Sequence, residues 1–255
     1  MILSALVLVV LALAVVATGK LAGVIPPARA AEESPLDRAI ERTARRYQRA
    51  AESRGTYFYV RGKLSGDPAT RAVATLGPLG SVLDLGCGRG QLAVLLLEAG
   101  VAFELRGVDW DAQKIALARR AGEGLAAVFE PGDAREVSGA PADTVLMIDV
   151  LHYFDRPVQD ALLVRASGLV KPGGRLVLRD ADTGRGLRSL ATRIQEGVGT
   201  RLRFNRGERV LFRDVEGELV PLLEARGFAC EVRPCWGRTP FSNVLLVATR
   251  SPLAS

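Results

Sequence analysis

From about residue 80 onward the chain alternates between short runs that are apolar at nearly every position and longer stretches where apolar residues return every three or four. The first pattern predicts strands over 81–85, 103–108, 126–130, 144–148, 175–179, 229–234 and 243–249. The second predicts helices over 90–99, 111–121, 157–169 and 215–226. Strands that are apolar on both faces belong to a parallel sheet covered by helices on both sides. Such sheets bind ligands beyond the carboxyl ends of their strands, where the strand order reverses. The residues that follow each strand are therefore the candidates for chemistry.

Before residue 80 the pattern differs. Residues 2–18, ILSALVLVVLALAVVAT, carry no charge, and apolar character resumes at 21–25 beyond Lys20. At 1.5 Å per residue this is long enough to cross a hydrocarbon core of roughly 30 Å, so residues 1–25 read as a transmembrane anchor that Pro26 and Pro27 end. A cleaved signal peptide is the rival, because Ala28, Arg29 and Ala30 resemble a cleavage site, but no basic residue precedes the apolar run. Lys20, Arg29, Arg38, Arg42, Arg45, Arg46 and Arg49 all follow it. By the positive-inside rule the body is expected in the cytoplasm, on a single-pass protein of the cytoplasmic (inner) membrane. Residues 26–79 read as a juxtamembrane region: an arginine-studded amphipathic helix over 32–55, then GTYFYVRGKLSGD (55–67). That last stretch reads either as a lid, whose Arg61 or Lys63 meets an acid, or as an exposed connection.

Composition changes little. At 255 residues, 48% hydrophobic and 24% charged, the chain fits one folded domain with an appendage. Lysine supplies only four of the 34 basic residues, and the net charge is +6. Codon bias and an anionic partner explain that arginine excess equally well. Cys87, Cys230 and Cys235 form no disulfide framework, and their spacing with the lone His152 argues against a metal site.

The strand ends are more specific. VLDLGCGRG (82–90) ends an apolar run in Asp84 and opens into Gly86, Gly88 and Gly90. Glycines there let a backbone approach a ligand, and the following helix offers its N-terminal amides. The spacing is G-x-G-x-G, not the G-x-G-x-x-G of a pyrophosphate cradle, and an acid at its mouth suits a cation. Asp109, in GVDWD, lies about 20 residues on, where a carboxylate accepts from ribose hydroxyls. Trp110 beside it could lie against an adenine, and Asp111 reads as a helix N-cap. Asp133 follows the third strand and could accept from an adenine amino group, or be a solvated loop residue. The fourth strand runs into Asp149, Leu151, His152 and Tyr153, and an acid ending an apolar run is expected to line a cleft.

In order, VLDLGCGRG, GVDWD, GDA, DVLHYF and LVKPGGRLVL resemble the class I S-adenosylmethionine-dependent methyltransferases, in detail over 80–180 and in element pattern over 214–249. The resemblance implies an α/β, Rossmann-like fold: a seven-stranded, mostly parallel sheet with its last strand antiparallel and helices on both faces, here preceded by an N-terminal membrane helix. It implies a methyltransferase domain over 80–250 and S-adenosyl-L-methionine as cofactor. It also implies roles. Asp84 and the turn of Gly86, Cys87, Gly88 and Gly90 would meet the cationic methionine moiety. Asp109 would bind the ribose, and Asp133 and Ala134 the adenine, with Trp110 packing beside it. Asp149 and Leu151 would close the floor under the sulfonium.

The resemblance leaves the acceptor open. Methyl transfer from a sulfonium is an in-line displacement in which positioning does most of the work. His152, with Tyr153 next to it, is the candidate base or acceptor-orienting group, and a packing role is the alternative. Residues 185–213 hold eight arginines (185, 188, 193, 201, 203, 206, 209, 213) against Glu196 and Glu208. That density points to an anionic partner: a lipid headgroup surface, an acyl-carrier protein or a carboxylate. Only Phe204 and Phe212 interleave with these arginines, which argues against nucleic acid. The acceptor is therefore expected to be a small molecule, or linked to a lipid or carrier. A catalytically silent cofactor-binding protein and an RNA methyltransferase are the alternatives.

Overall fold

A computed structural model describes residues 33–183, 211–237 and 242–252. Seven strands form one sheet: β1 (Gly80–Leu85), β2 (Ala102–Asp109), β3 (Ala127–Pro131), β4 (Ala142–Ile148), β5 (Val170–Ala181), β6 (Phe228–Pro234) and β7 (Asn243–Arg250). Their order is β3-β2-β1-β4-β5-β7-β6, and the order reverses between β1 and β4. β1 to β5 pair in parallel, and β7 inserts antiparallel between β5 and β6. Seven described helices complete the unit: α1 (Pro35–Ala51), α2 (Arg54–Gly66), α3 (Pro68–Ala74), α4 (Gln91–Glu98), α5 (Ala112–Ala121), α6 (Arg156–Gly168) and α7 (Val220–Glu224). A π turn, Val215–Leu219, leads into α7.

Period-two alternation makes the two layers. Val82, Leu146 and Val177 point into one core, and their chain neighbours Leu83, Met147 and Leu178 into the other. The second core is closed by α6 and α7 through Leu162, Leu163, Leu219 and Leu223. The first is closed by α4 and α5, and also by residues before the expected domain start: Ala39, Ile40, Ala44, Tyr47, Val60, Leu64 and Val73. The compact unit thus begins at Pro35. The amphipathic helix expected over 32–55 is α1, but its apolar face is buried in the protein and is not available to a membrane. Residues 55–67, expected as a lid or connection, are mostly α2.

The membrane helix expected over 1–25 and residues 185–210 of the arginine-rich segment lie outside the described residues. Among the described residues no helix is long and apolar enough to cross a membrane. Arg213, the described member of the arginine-rich set, is buried and bonded to Asp160 and to Glu218 (2.9 Å). It holds the 213–218 segment to α6, and is not displayed to a partner.

Candidate active site

β1 and β2 deliver their last residues side by side, with Asp84 paired to Gly107 in register. The loop after β1 is pinned to β2, because the amides of Gly86 and Cys87 both donate to the Val108 carbonyl (2.7 and 3.0 Å). Gly86 has φ +76°, and a Cβ there would collide with Val150. Gly88 (φ +57°) differs: a Cβ on it would meet nothing within 4 Å. Its amide donates to Asp109 Oδ2 and the Asp111 amide to Oδ1, each at 2.9 Å, so the Asp109 carboxylate is fixed by two backbone donors. Asp111 in turn caps α5 by accepting from the amides of Gln113 and Lys114.

These elements border a cavity of about 730 Å³ beyond the carboxyl ends of β1, β2 and β4, at the point of reversed strand order. Its walls hold Asp84, Gly86, Cys87, Gly88, Asp109, Trp110, Asp133, Ala134, Asp149 and Tyr153. Asp84 is 4% exposed and, among the described residues, makes no salt bridge or side-chain hydrogen bond. Burial, and next the Asp109 carboxylate, push its pKa up to about 7. Two neighbouring carboxylates, one buried and uncompensated, form a trap for a cation. Burial also pushes the Cys87 thiol well up, with Asp84 and Asp109 adding to it, so Cys87 is a neutral lining group. Trp110 is 61% exposed at the rim, with the Lys114 ammonium 5.5 Å from its ring. Arg135 holds Asp133 through Nε, at 2.8 and 2.9 Å to the two carboxylate oxygens.

Charged groups from three elements meet at the end of β4. Asp149 follows the strand with φ +57°, in a left-handed conformation that costs a non-glycine residue energy. Buried Arg179 of β5 bonds its carboxylate and lies 3.7 Å from Asp67, which also caps α3. Burial raises the Asp149 pKa, and Arg179 opposes the rise. Beside this group, Asp180 accepts from His152 twice: the backbone amide at 3.1 Å, and Nδ1 at 2.7 Å. The imidazole packs against Tyr153 (4.3 Å) and Phe212 (5.1 Å), and its backbone carbonyl accepts from the Leu211 amide at 2.9 Å. Burial pulls the His152 pKa down, but the Asp180 carboxylate outweighs it and the net shift is upward.

Three expected site residues lie elsewhere. His152 does not line the cavity; it sits behind Tyr153, against Asp180. Leu151 is buried in the second core, within a single 3-10 turn that ends in cavity-facing Tyr153. Gly90 serves packing, since a Cβ on it would lie 2.8 Å from the Phe129 ring. No sequence signal marks Asp67, Thr70, Arg135 or Phe154 as cavity residues, nor Arg179 and Asp180 as the polar group beside it. Of the two basic candidates of 55–67, Lys63 lines the cavity, while Arg61 pairs with Glu41 at 3.3 Å.

Residues 82–174 match the methyltransferase domain family. No curated relative matches the sequence. Solved structures share the fold. An O-methyltransferase family protein from Burkholderia thailandensis is 23% identical over 85% of this chain, with a TM-score of 0.62; the match spans 64% of that protein's length. Magnesium protoporphyrin IX methyltransferase from Synechocystis PCC 6803, solved with bound SAH, is 23% identical over 81% of this chain and 94% of its own, with a TM-score of 0.57. A putative methyltransferase from Haloferax volcanii, solved with its Trm112 activator, is 16% identical over 81% of this chain and 97% of its own, with a TM-score of 0.60. Asp84, unneutralised beneath an open glycine turn, fits a cofactor with a cationic amino-acid tail, and Asp109 fits its ribose. Residues 82–174 thus match a methyltransferase domain and lie in a Rossmann-like sheet beside this cavity, the arrangement of an S-adenosylmethionine-dependent methyltransferase.

Proposed function

We propose that the enzyme methylates an amphiphilic acceptor, small or carried on a lipid or carrier protein, at the cytoplasmic face of the membrane, with residues 1–25 as its anchor. The observation that carries the reading is one cavity whose walls combine Asp84 and Asp109 with the apolar and aromatic groups Leu64, Leu92, Tyr153 and Phe154. S-adenosylmethionine, when bound, supplies a methyl group already activated on a sulfonium. The protein's part is then to bind, orient and hold charge. Asp84 meets the cationic tail, Lys63 its carboxylate, and Asp109 the ribose hydroxyls. Asp133, Ala134 and Trp110 flank the base. Asp149, bonded by Arg179, would line the end of the site where the methyl group is transferred. Tyr153 orients the acceptor, and His152 positions Tyr153. An Nδ1–H donated to Asp180 fixes that ring and leaves Nε2 as its basic nitrogen.

The test is transfer of label from methyl-labelled cofactor by the purified full chain, offered a membrane lipid extract, a carrier-protein fraction and total RNA in parallel. Label is expected in the lipid or carrier fraction, and label in RNA alone would replace this acceptor with nucleic acid. In the same preparation, Asp109→Ala removes a charged acceptor. Hydrogen bonds to such a group contribute about 1.5–3 kcal/mol each, so with two of them lost cofactor affinity is expected to fall by at least roughly a hundredfold.

A further inference from the structure

Helix α2, RGTYFYVRGKLSG, contains no acid and three bases. Val60 and Leu64 bury one stripe of it against the body. Away from that stripe stand Phe58, 69% exposed, and Tyr59, 52% exposed. Arg54 and Arg61 are exposed around them, Arg61 pairing with Glu41 at 3.3 Å, while Lys63 is exposed at the cavity side. At Gly62 and Gly66 a Cβ would meet nothing within 4 Å, so the surface beside the aromatics is open. Lys63, one turn after Tyr59, lines the cavity together with Leu64. The aromatic patch therefore runs to the cavity wall.

We propose that this face of α2 docks on an anionic lipid bilayer, with Phe58 and Tyr59 at the boundary of headgroups and acyl chains, and that the acceptor reaches the cavity from there. The docking stands on the patch itself; the acceptor route rests on the function proposed above. Two adjacent exposed aromatics amid cations suit the interfacial zone, where a ring is buried and a hydroxyl stays wet. Each cation near an anionic surface strengthens partitioning by about fivefold. Single-stranded nucleic acid also takes aromatics and cations. The uncharged residues 2–18, a short way before Pro35, favour lipid.

The test follows amide hydrogen exchange of the full chain, reconstituted in phosphatidylglycerol-rich or in phosphatidylcholine vesicles. Amides of 54–66 are expected to exchange at least about fivefold more slowly in the anionic vesicles, and the difference is expected to shrink as salt rises. Phe58→Trp is expected to add emission that bromine-labelled lipid quenches, over the background of Trp110 and Trp236. Phe58→Ala with Tyr59→Ala is expected to abolish the protection while cofactor affinity, read by calorimetry, is unchanged. Equal exchange in the two vesicles, protection that survives the double variant, or protection by RNA or an acidic carrier protein but not by vesicles would each overturn the docking. A chain that docks as expected but transfers no label to any lipid would remove the acceptor route alone.

Discussion

At Asp84 the protonation state and the binding of the cofactor are linked. Its pKa of about 7 in the folded protein stands against 3.8 for an ordinary aspartate, so the folded protein holds the proton more tightly than the unfolded chain. Folding stability that is present below pH 3.8 is therefore lost as pH rises through about 7. A cationic tail needs the carboxylate, and below pH 7 its binding must expel that proton. We expect cofactor affinity to fall about tenfold for each pH unit below roughly 7, and to level off above it. Asp84→Asn should bind weakly with no such slope, and calorimetry in buffers of different ionisation enthalpy would show the proton released. A flat profile in the unaltered protein would remove Asp84 from the site. Asp84, Asp109 and Asp149 were legible in the sequence because each carboxylate ends an apolar run, where packing alone gives it no reason to be. Arg179 and Asp180 were not, because two polar residues at the end of β5 look like an ordinary strand terminus. Asp67 was hidden by its other role as the N-cap of α3.

Among elements, the β1–α4 turn separates two demands on glycine. Gly86 and Gly88 both have positive φ, but only at Gly86 would an added methyl strike a side chain, that of Val150. Gly86→Ala is expected to lose about 2–4 kcal/mol of stability, from strain together with overpacking. Gly88→Ala is expected to cost about 1–2 kcal/mol, from strain alone, and to weaken cofactor binding disproportionately because its methyl projects beside the ligand. Thermal melting and cofactor titration of both variants check this; equal stability losses would contradict the packing account. Periodicity located the seven strands to within a few residues, most plainly the central β1, β4 and β7, which are buried at nearly every position. It gave β5 a late start, because Pro172, Gly173 and Gly174 read as a turn. That turn survives inside the strand as a register shift against β4, with Gly173 at φ +74°. α2 could not be read as a helix from its own pattern, with Gly55, Gly62 and Gly66 along it; tertiary contact through Val60 and Leu64 forms it.

In the whole molecule, residues 35–79 belong to the same body as the sheet. Tyr47 of α1 is fully buried in the core shared with β1 and β4, and its hydroxyl donates to the carbonyl of Arg89, a cavity-lining residue of the glycine turn. Arg42 and Arg46 both pair with Glu98 at the end of α4, and Arg46 also donates to the Glu123 carbonyl at 2.9 Å. The basic residues that suggest a membrane-facing helix therefore also fasten α1 to the sheet domain. The sequence could not show this, because an arginine that pairs at long range looks the same as one that meets lipid. A direct consequence is that α1 and the cofactor turn share stability. Tyr47→Phe keeps the packing and leaves the Arg89 carbonyl short of a donor, at an expected cost of about 1–2 kcal/mol. For a domain of this size that lowers the melting temperature by about 2–8 °C. Because the orphaned carbonyl belongs to the turn that borders Asp84, cofactor affinity should fall severalfold in the same variant. Bound cofactor should also restore less melting temperature to Tyr47→Phe than to the unaltered protein. If stability falls while affinity and this ligand-induced shift stay unchanged, α1 is scaffold only, and the turn holds its shape through β2 alone.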